Sequence, residues 1–426
     1  MYVVYSLVLG LAFLFVIPAY FIRLRVLKRE PLYLAERLGL DIRSRSSNTP
    51  CLWIHAVSVG EVLSLQHLVR SLKSKFPGWE IAFSTLTNTG YRMATSKLPD
   101  VDHLFFVPFD FARPVRRVLR SLRPDLLVLV ESEFWPRLLR EARRSHVPVL
   151  VVNGRISERT GRRLKRLRVF ARPLLKNVDV FLVQSAQDRE RLEAAGVSGD
   201  RISVAGNLKC ETRLPAYGPD AVRAFKAELS ISADQKVLVA GSIHPGEEER
   251  LGRAFRDARA RRTDLVLVLA PRHPDKFVNV ERVFGNDPFV VRRKSRLERG
   301  QSWDVLILDT FGELTRFYAL ADVAFIGGSL IPWGGQNLLE PAYYGKPIFF
   351  GPHMKNFADL ADAFVRGGAA KVVESDRDLA EMFRMADLDG LRSMGERARA
   401  MLTSLQGATD ITLAAIEGIL GHGQTY

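Results

Sequence analysis

Short apolar runs alternate with longer amphipathic segments along most of the chain. The first runs fall at residues 51–57 (CLWIHAV), 80–84, 103–107, 125–130 (DLLVLV), 147–152 (VPVLVV), 178–183 (VDVFLV) and 201–205. They are continuously hydrophobic, the pattern of strands covered on both faces inside a parallel sheet. Helical patterns separate them, for example at 61–75 and 185–195. Residues 211–219 (ETRLPAYGP) interrupt the alternation and read as a linker. A second series follows at 236–241, 264–270, 303–308, 322–327, 346–350 and 370–373, and residues 391–421 read as closing helices. Alternation of this kind predicts doubly wound α/β structure. The expected architecture is two Rossmann-like domains facing each other across a cleft, at 31–212 and 213–426.

The first residues follow a different pattern. Residues 2–22 carry no charge, and Arg23, Arg25, Lys28 and Arg29 follow at once. That is long enough to span a bilayer. There is no basic segment before it and no convincing cleavage site, which argues against a signal peptide. Residues 1–23 therefore read as a membrane anchor, with the cationic flank placing the body of the protein on the cytoplasmic side. Pro18 leaves shallow interfacial insertion open beside a full span.

Composition narrows the partners. A chain of 426 residues exceeds one ordinary core, and 47% hydrophobic with 26% charged residues is globular. Cys51 and Cys210 have neither metal-ligand spacing nor a disulfide framework, which fits a reducing compartment. A formal charge of +15 calls for a polyanionic partner. Of the two basic runs, 113–123 reads as a solvated helix face. The run at 159–176, interleaved with Leu164, Leu167, Val169 and Phe170, reads as a contact for an anionic membrane surface. Neither matches a base-reading motif, so no nucleic acid is expected.

Candidate chemistry gathers at strand ends, where ligands sit in open α/β sheets. WIHAVSVGEV (53–62) runs from a strand through a turn into a helix opening near Glu61; that carboxylate could serve the helix dipole or a reaction, and the residues alone leave both open. LVESEFWP (129–136) ends a strand on Glu131 and Glu133. AGNLKCE (205–211) offers Lys209 as a cation for a leaving phosphate. LAPRHP (269–274) places Arg272 after a very apolar strand, suited to forking onto phosphate. IGGSLIPWGGQNLLEPAYYGKPIFFGP (326–352) is the strongest segment. Gly327, Gly328, Gly334 and Gly335 are expected to let backbone N–H groups reach a ligand, and Glu340 to accept from ribose hydroxyls. No Asp-x-Asp stands at an expected metal position and no His/Cys cluster exists, so no metal is predicted.

With HAVSVGEV, LVESEFWP, NGRISERT, GNLKCE, APRHP, FGEL and GGSL…GGQNLLEP…GPHMKNF in order over nearly the whole chain, the sequence resembles the Kdo (3-deoxy-D-manno-octulosonic acid) transferases of lipopolysaccharide synthesis. The resemblance implies an inverting glycosyltransferase of GT-B fold at the bacterial inner membrane, with CMP-Kdo as donor substrate, no cofactor, and a lipid A precursor as acceptor. It implies Glu61 as catalytic base, and Glu131 and Lys209 as stabilisers of the transition state. For CMP it implies Pro271, Arg272, Phe311, Gly312, Glu313, Asn337, Leu338, Leu339 and Glu340. Glu133 has no implied role beyond structure. The family's loop usually carries histidines where this chain has Trp333 and Gln336. A membrane-associated GT-B enzyme using a UDP-sugar is the nearest alternative, and an inactive scaffold of the same fold is the alternative from another class.

Overall fold

The computed structural model describes residues 2, 5–11, 31–42, 44–45, 49–211, 214–273, 277–285, 287–385 and 389–421. The expected anchor at 1–23 lies outside them except for Tyr2 and residues 5–11, the last of which are helical. Among the described residues no helix is long and apolar enough to cross a membrane.

The chain divides into two compact units, Met1–Glu211 with Leu405–Tyr426, and Thr212–Ser404. In the first, β1 (Cys51–His55), β2 (Glu80–Thr85), β3 (His103–Phe106), β4 (Leu126–Val130), β5 (Val149–Gly154), β6 (Val180–Val183) and β7 (Ile202–Val204) form one sheet in the order β3-β2-β1-β4-β5-β6-β7. Every pairing is parallel, for example Leu52 beside Leu126 and His55 beside Leu129. β1 and β4 are buried at every position, as their unbroken hydrophobicity requires.

The second unit holds β8 (Lys236–Ile243), β9 (Leu265–Pro271), β10 (Val291–Arg293), β11 (Val305–Ile307), β12 (Val323–Ile326), β13 (Ile348–Phe350) and β14 (Ala370–Val372), in the order β10-β11-β9-β8-β12-β13-β14, again all parallel. β10 was not expected: it has three residues, two of them arginine, at the sheet edge. In each unit the chain starts at the sheet centre and the strand order switches direction there, between β1 and β4 and between β8 and β12, with β10 placed outside β11 at the second sheet's edge; that switch opens a crevice at the carboxyl ends of the strands.

The end of the chain departs from the expected partition. Helix Asp389–Ser404 stays with the second unit, but helix Ala408–Gly421 belongs to the first. Its Ala408, Leu413 and Ile416 are buried in the same cluster as Leu68, Leu72 and Leu126. Glu211 fastens its start, with Oε1 accepting from the amides of Gly407 (2.7 Å) and Thr409 (3.2 Å). These are helix N-terminal donors that have no partner within the helix. The last residue of GNLKCE is thus a structural clasp.

Candidate active site

In the first unit the loops after β1 and β4 flank the crevice. Ser58 caps helix Val59–Ser64, its Oγ accepting from the Glu61 amide at 3.4 Å. The Glu61 side chain turns back: Oε1 accepts from Ser58 Oγ (2.7 Å) and Oε2 from the Val57 amide (2.8 Å). This is a reciprocal cap displaced by one residue, and it fixes the carboxylate. Glu61 is only 6% exposed. Burial raises its pKa, the two donors oppose that, and the charge of Glu131 adds to it. Each oxygen receives one hydrogen bond and keeps a lone pair for a proton. The cap and the candidate base are therefore the same carboxylate.

Across the crevice, β4 is followed at once by Glu131 with φ 57°, a left-handed conformation unfavourable for a residue with a side chain. Its amide still bonds to Val152 O (3.0 Å), while the turn redirects the side chain; Oε1 lies 3.6 Å from Lys209 Nζ. Lys209 is positioned from β5. Asn153, also left-handed and nearly buried, accepts the Leu208 amide at 3.0 Å, and Asn207 accepts the Lys209 amide at 2.9 Å. The motifs NGRISERT and GNLKCE meet in these contacts. Glu131, Lys209 and Glu61 are thus gathered at one crevice.

Glu133 is more than structural in its electrostatics. Burial pushes its pKa up to about 7, the negative charges of Glu61 and Glu131 add to this, and the Trp135 Nε1–H donated at 2.9 Å opposes it. The pattern E-x-E at a strand end was the available signal. His55, at the end of β1, is fully buried beside Ser84, and desolvation lowers its pKa to about 4, so it is neutral at physiological pH. Both cysteines are buried and free.

In the second unit the glycine loop is built differently from expectation. Glu247, fully buried at the start of helix Glu247–Arg259, accepts four backbone N–H groups. They come from His244 (2.9 Å), Gly328 (2.6 Å), Ser329 (2.9 Å) and Leu330 (2.9 Å). Three consecutive amides make an anion-binding nest, here filled by the protein's own carboxylate. The Gly327 amide bonds to Gly241 O and that of Gly335 to Gly328 O, both at 2.8 Å. The amides of Gly327, Gly328 and Gly335 are therefore committed internally, and the expectation that they reach a ligand is corrected. Gly327 serves close packing, since a Cβ there would meet Ser242 O at 2.4 Å.

Arg272 follows β9 and is exposed, its amide bonded to Ile243 O at 2.9 Å, with Pro271 partly exposed before it. Glu340 is held by Asn337 Nδ2 (3.2 Å) and Thr315 Oγ1 (3.4 Å); burial raises its pKa, while these donors and the Arg272 charge lower it. Asn337 also accepts the Leu339 amide at 3.0 Å. Leu338 and Leu339 are core side chains, so Asn337 and Glu340 are the members of that run that carry side-chain polarity to the site. Phe311 is 80% exposed on a loop turned by Gly312 (φ 82°), and Glu313 accepts from Thr310 Oγ1. Among the described residues no group of three His, Cys, Asp or Glu side chains is arranged to hold a metal ion.

Two parallel α/β units in tandem are the fold that the chain shares with GT-B-like proteins of known structure. A glycosyltransferase from Rickettsia africae aligns over 88% of this chain and 99% of its own, at a TM-score of 0.56 and 12% identity. A UDP-GlcNAc 2-epimerase from Neisseria meningitidis aligns over 84% and 99%, at 0.51 and 12%. Those identities establish the fold alone. Residues 33–212 match the family described as 3-deoxy-D-manno-octulosonic-acid transferase (kdotransferase). The transferase of that name from Rickettsia typhi is 31% identical over 79% of this chain and 71% of its own, and that of Haemophilus influenzae 28% identical over 88% of both. A bifunctional glycosyltransferase/methyltransferase of Fusobacterium nucleatum is 33% identical over 78% of this chain, which spans about half (52%) of that protein. The chain belongs to the 3-deoxy-D-manno-octulosonic acid transferase family and is a glycosyltransferase.

Proposed function

We propose that the enzyme moves Kdo from CMP-Kdo to a lipid A precursor such as lipid IVA, with inversion at the anomeric carbon. Glu61 takes the proton from the acceptor hydroxyl as its oxygen attacks. CMP departs as a phosphate monoester, and Lys209, positioned by Glu131, offsets negative charge developing in the transition state. The donor lies on the second unit, with Arg272 beside Pro271 at the phosphate, Glu340 and Asn337 at the ribose, and Phe311 to Glu313 at the base. The donor is a substrate; no cofactor or metal is assigned. The observation that carries the reading is the Glu61 carboxylate, buried, doubly hydrogen-bonded and facing a crevice that also holds Glu131 and Lys209.

A lipid acceptor requires the enzyme at a membrane, and the reading places it on the cytoplasmic face of the bacterial inner membrane. Leu7, Val8 and Leu11 are exposed, as are Leu167, Val169 and Phe170 beside a cluster of arginines. Tyr2 ties the first group to this unit: its hydroxyl accepts a hydrogen bond from Asn177 Nδ2 at 3.0 Å, two residues beyond helix Arg168–Leu175. Exposed apolar side chains beside cations fit the chemistry of an anionic lipid surface.

The test is transfer from CMP-Kdo, generated in situ, to lipid IVA in detergent, read by mass spectrometry. A mass gain of one or more Kdo units that vanishes in Glu61→Gln is expected. Transfer only from a UDP-sugar, or undiminished transfer by Glu61→Gln, would overturn the reading.

A further inference from the structure

Trp333 presents an aromatic face at the crevice of the second unit. It is 60% exposed, yet it stacks on His244 with ring centroids 4.8 Å apart and planes inclined by 24°. His244, only 5% exposed, is held from three sides. Its amide donates to Glu247, Gln336 Nε2 lies 3.0 Å from its Nε2, and His273 meets its ring edge-on at 5.7 Å. The loop carrying Trp333 is pinned as well. Asn356 Nδ2 donates to the carbonyls of Trp333 (3.4 Å) and Gly335 (3.3 Å), and Glu247 holds the amides of residues 328–330. One face of the indole is thus backed by a fixed ring while most of the side chain remains open. An aromatic surface held this rigidly loses little entropy when a ligand covers it.

What covers it follows from the order of groups. Glu340 interacts with Thr315, Asn337 and the charge of Arg272. The Arg272 amide donates to the carbonyl of Ile243, the residue before His244, at 2.9 Å, and the His244 ring stacks on Trp333. The series therefore runs from Glu340 through Arg272 to His244 and Trp333. The donor end of a sugar nucleotide has the same connectivity: ribose, phosphate, sugar. We infer that Trp333 is a specificity-determining residue, its indole forming the floor on which the sugar ring of the donor lies. The inference rests on the donor reading above, which puts ribose at Glu340 and phosphate at Arg272. A sugar ring has a face of C–H groups, and packing that face on an indole buries apolar area without stranding a hydroxyl. Gln336 acts one layer back, holding the His244 ring against the indole.

The experiment compares the KM for CMP-Kdo, generated in situ, with the inhibition constant of CMP, which lacks the sugar. Trp333→Ala is expected to raise the donor KM about tenfold, the scale of one lost aromatic contact, and to leave CMP inhibition within about twofold of wild type. Trp333→Phe keeps a flat ring and is expected to lose about threefold or less. A parallel rise in both constants would place Trp333 at the base or ribose and overturn the inference, as would no change in either. If wild-type enzyme is neither inhibited by CMP nor active with CMP-Kdo, the donor reading itself fails. Trp333 is exposed, so the variants are expected to melt with wild type, which circular dichroism checks.

Discussion

Lys209 Nζ stands 3.6 Å from Glu131 Oε1, although the two residues leave strands β7 and β4 at separate places in the sheet. The left-handed backbone of Glu131 and the side chains of Asn153 and Asn207 bring them together. A structure that retains strain to form a partly exposed ion pair gains little stability from it, since such pairs contribute about 1 kcal/mol or less. The pair is better explained by chemistry. Lys209→Ala is expected to lower kcat by about 10²- to 10³-fold while shifting the urea midpoint only slightly. A large loss of stability with kcat intact would make the pair structural.

The Glu61 carboxylate must be ionised to act as a base, and its pKa is raised chiefly by burial. The acid limb of the kcat/KM profile is therefore expected above the range of an ordinary glutamate. Glu61→Gln keeps an oxygen for the Val57 amide and an amide for Ser58, so the turn should survive. Activity is expected to fall by about 10²- to 10⁴-fold, with the remaining rate no longer following that limb. A normal acid limb in Glu61→Gln would assign the base elsewhere.

Glu133 links the site to stability. Its pKa rises from 4.5 unfolded to about 7 folded, so between these values the native state holds the extra proton. Folding is then favoured at the acid end of that window, and stability declines as pH climbs from about 4.5 through 7. Glu133→Gln removes the penalty and can still accept from Trp135. Discounted for partial exposure, the gain at pH 8 is expected to be about 1–2 kcal/mol, with none at pH 4. Urea melts at the two pH values decide it; an equal change at both would mean that ionisation is not the cause.

These features were unequally legible in the sequence. The hydrophobic runs located the strands because parallel strands buried on both faces need no alternation to be seen. β10 escaped because an edge strand reading Val-Arg-Arg has no such run. The final helix could not be assigned to a unit, since its apolar face says only that it is covered, and the Glu211 clasp depends on a fold-back across nearly 200 residues. Glu61, Glu131 and Lys209 stood out through their motifs. Glu133 stood in the same motif, but its raised pKa was not legible there, because a pKa is set by neighbours in space. Glu247 was hidden among three successive acids at a helix start, where helix-dipole stabilisation accounts for all of them equally.

That hidden residue supports the sharpest stability prediction. Glu247 serves four backbone donors with two oxygens, and three of those donors belong to the loop that carries Trp333 and Gln336. Removing an acceptor from buried donors costs far more than one net hydrogen bond, because each orphaned N–H retains its desolvation penalty. Glu247→Ala is expected to destabilise the protein by about 3–5 kcal/mol. Glu247→Gln keeps the shape but turns an NH₂ group toward two of the amides, and is expected to cost about 2–3 kcal/mol. In hydrogen exchange, the amides of residues 328–330 should lose protection first. Protection retained at those three positions in Glu247→Gln would mean that the loop is held by its glycine packing, and that the carboxylate only fills the space beneath it.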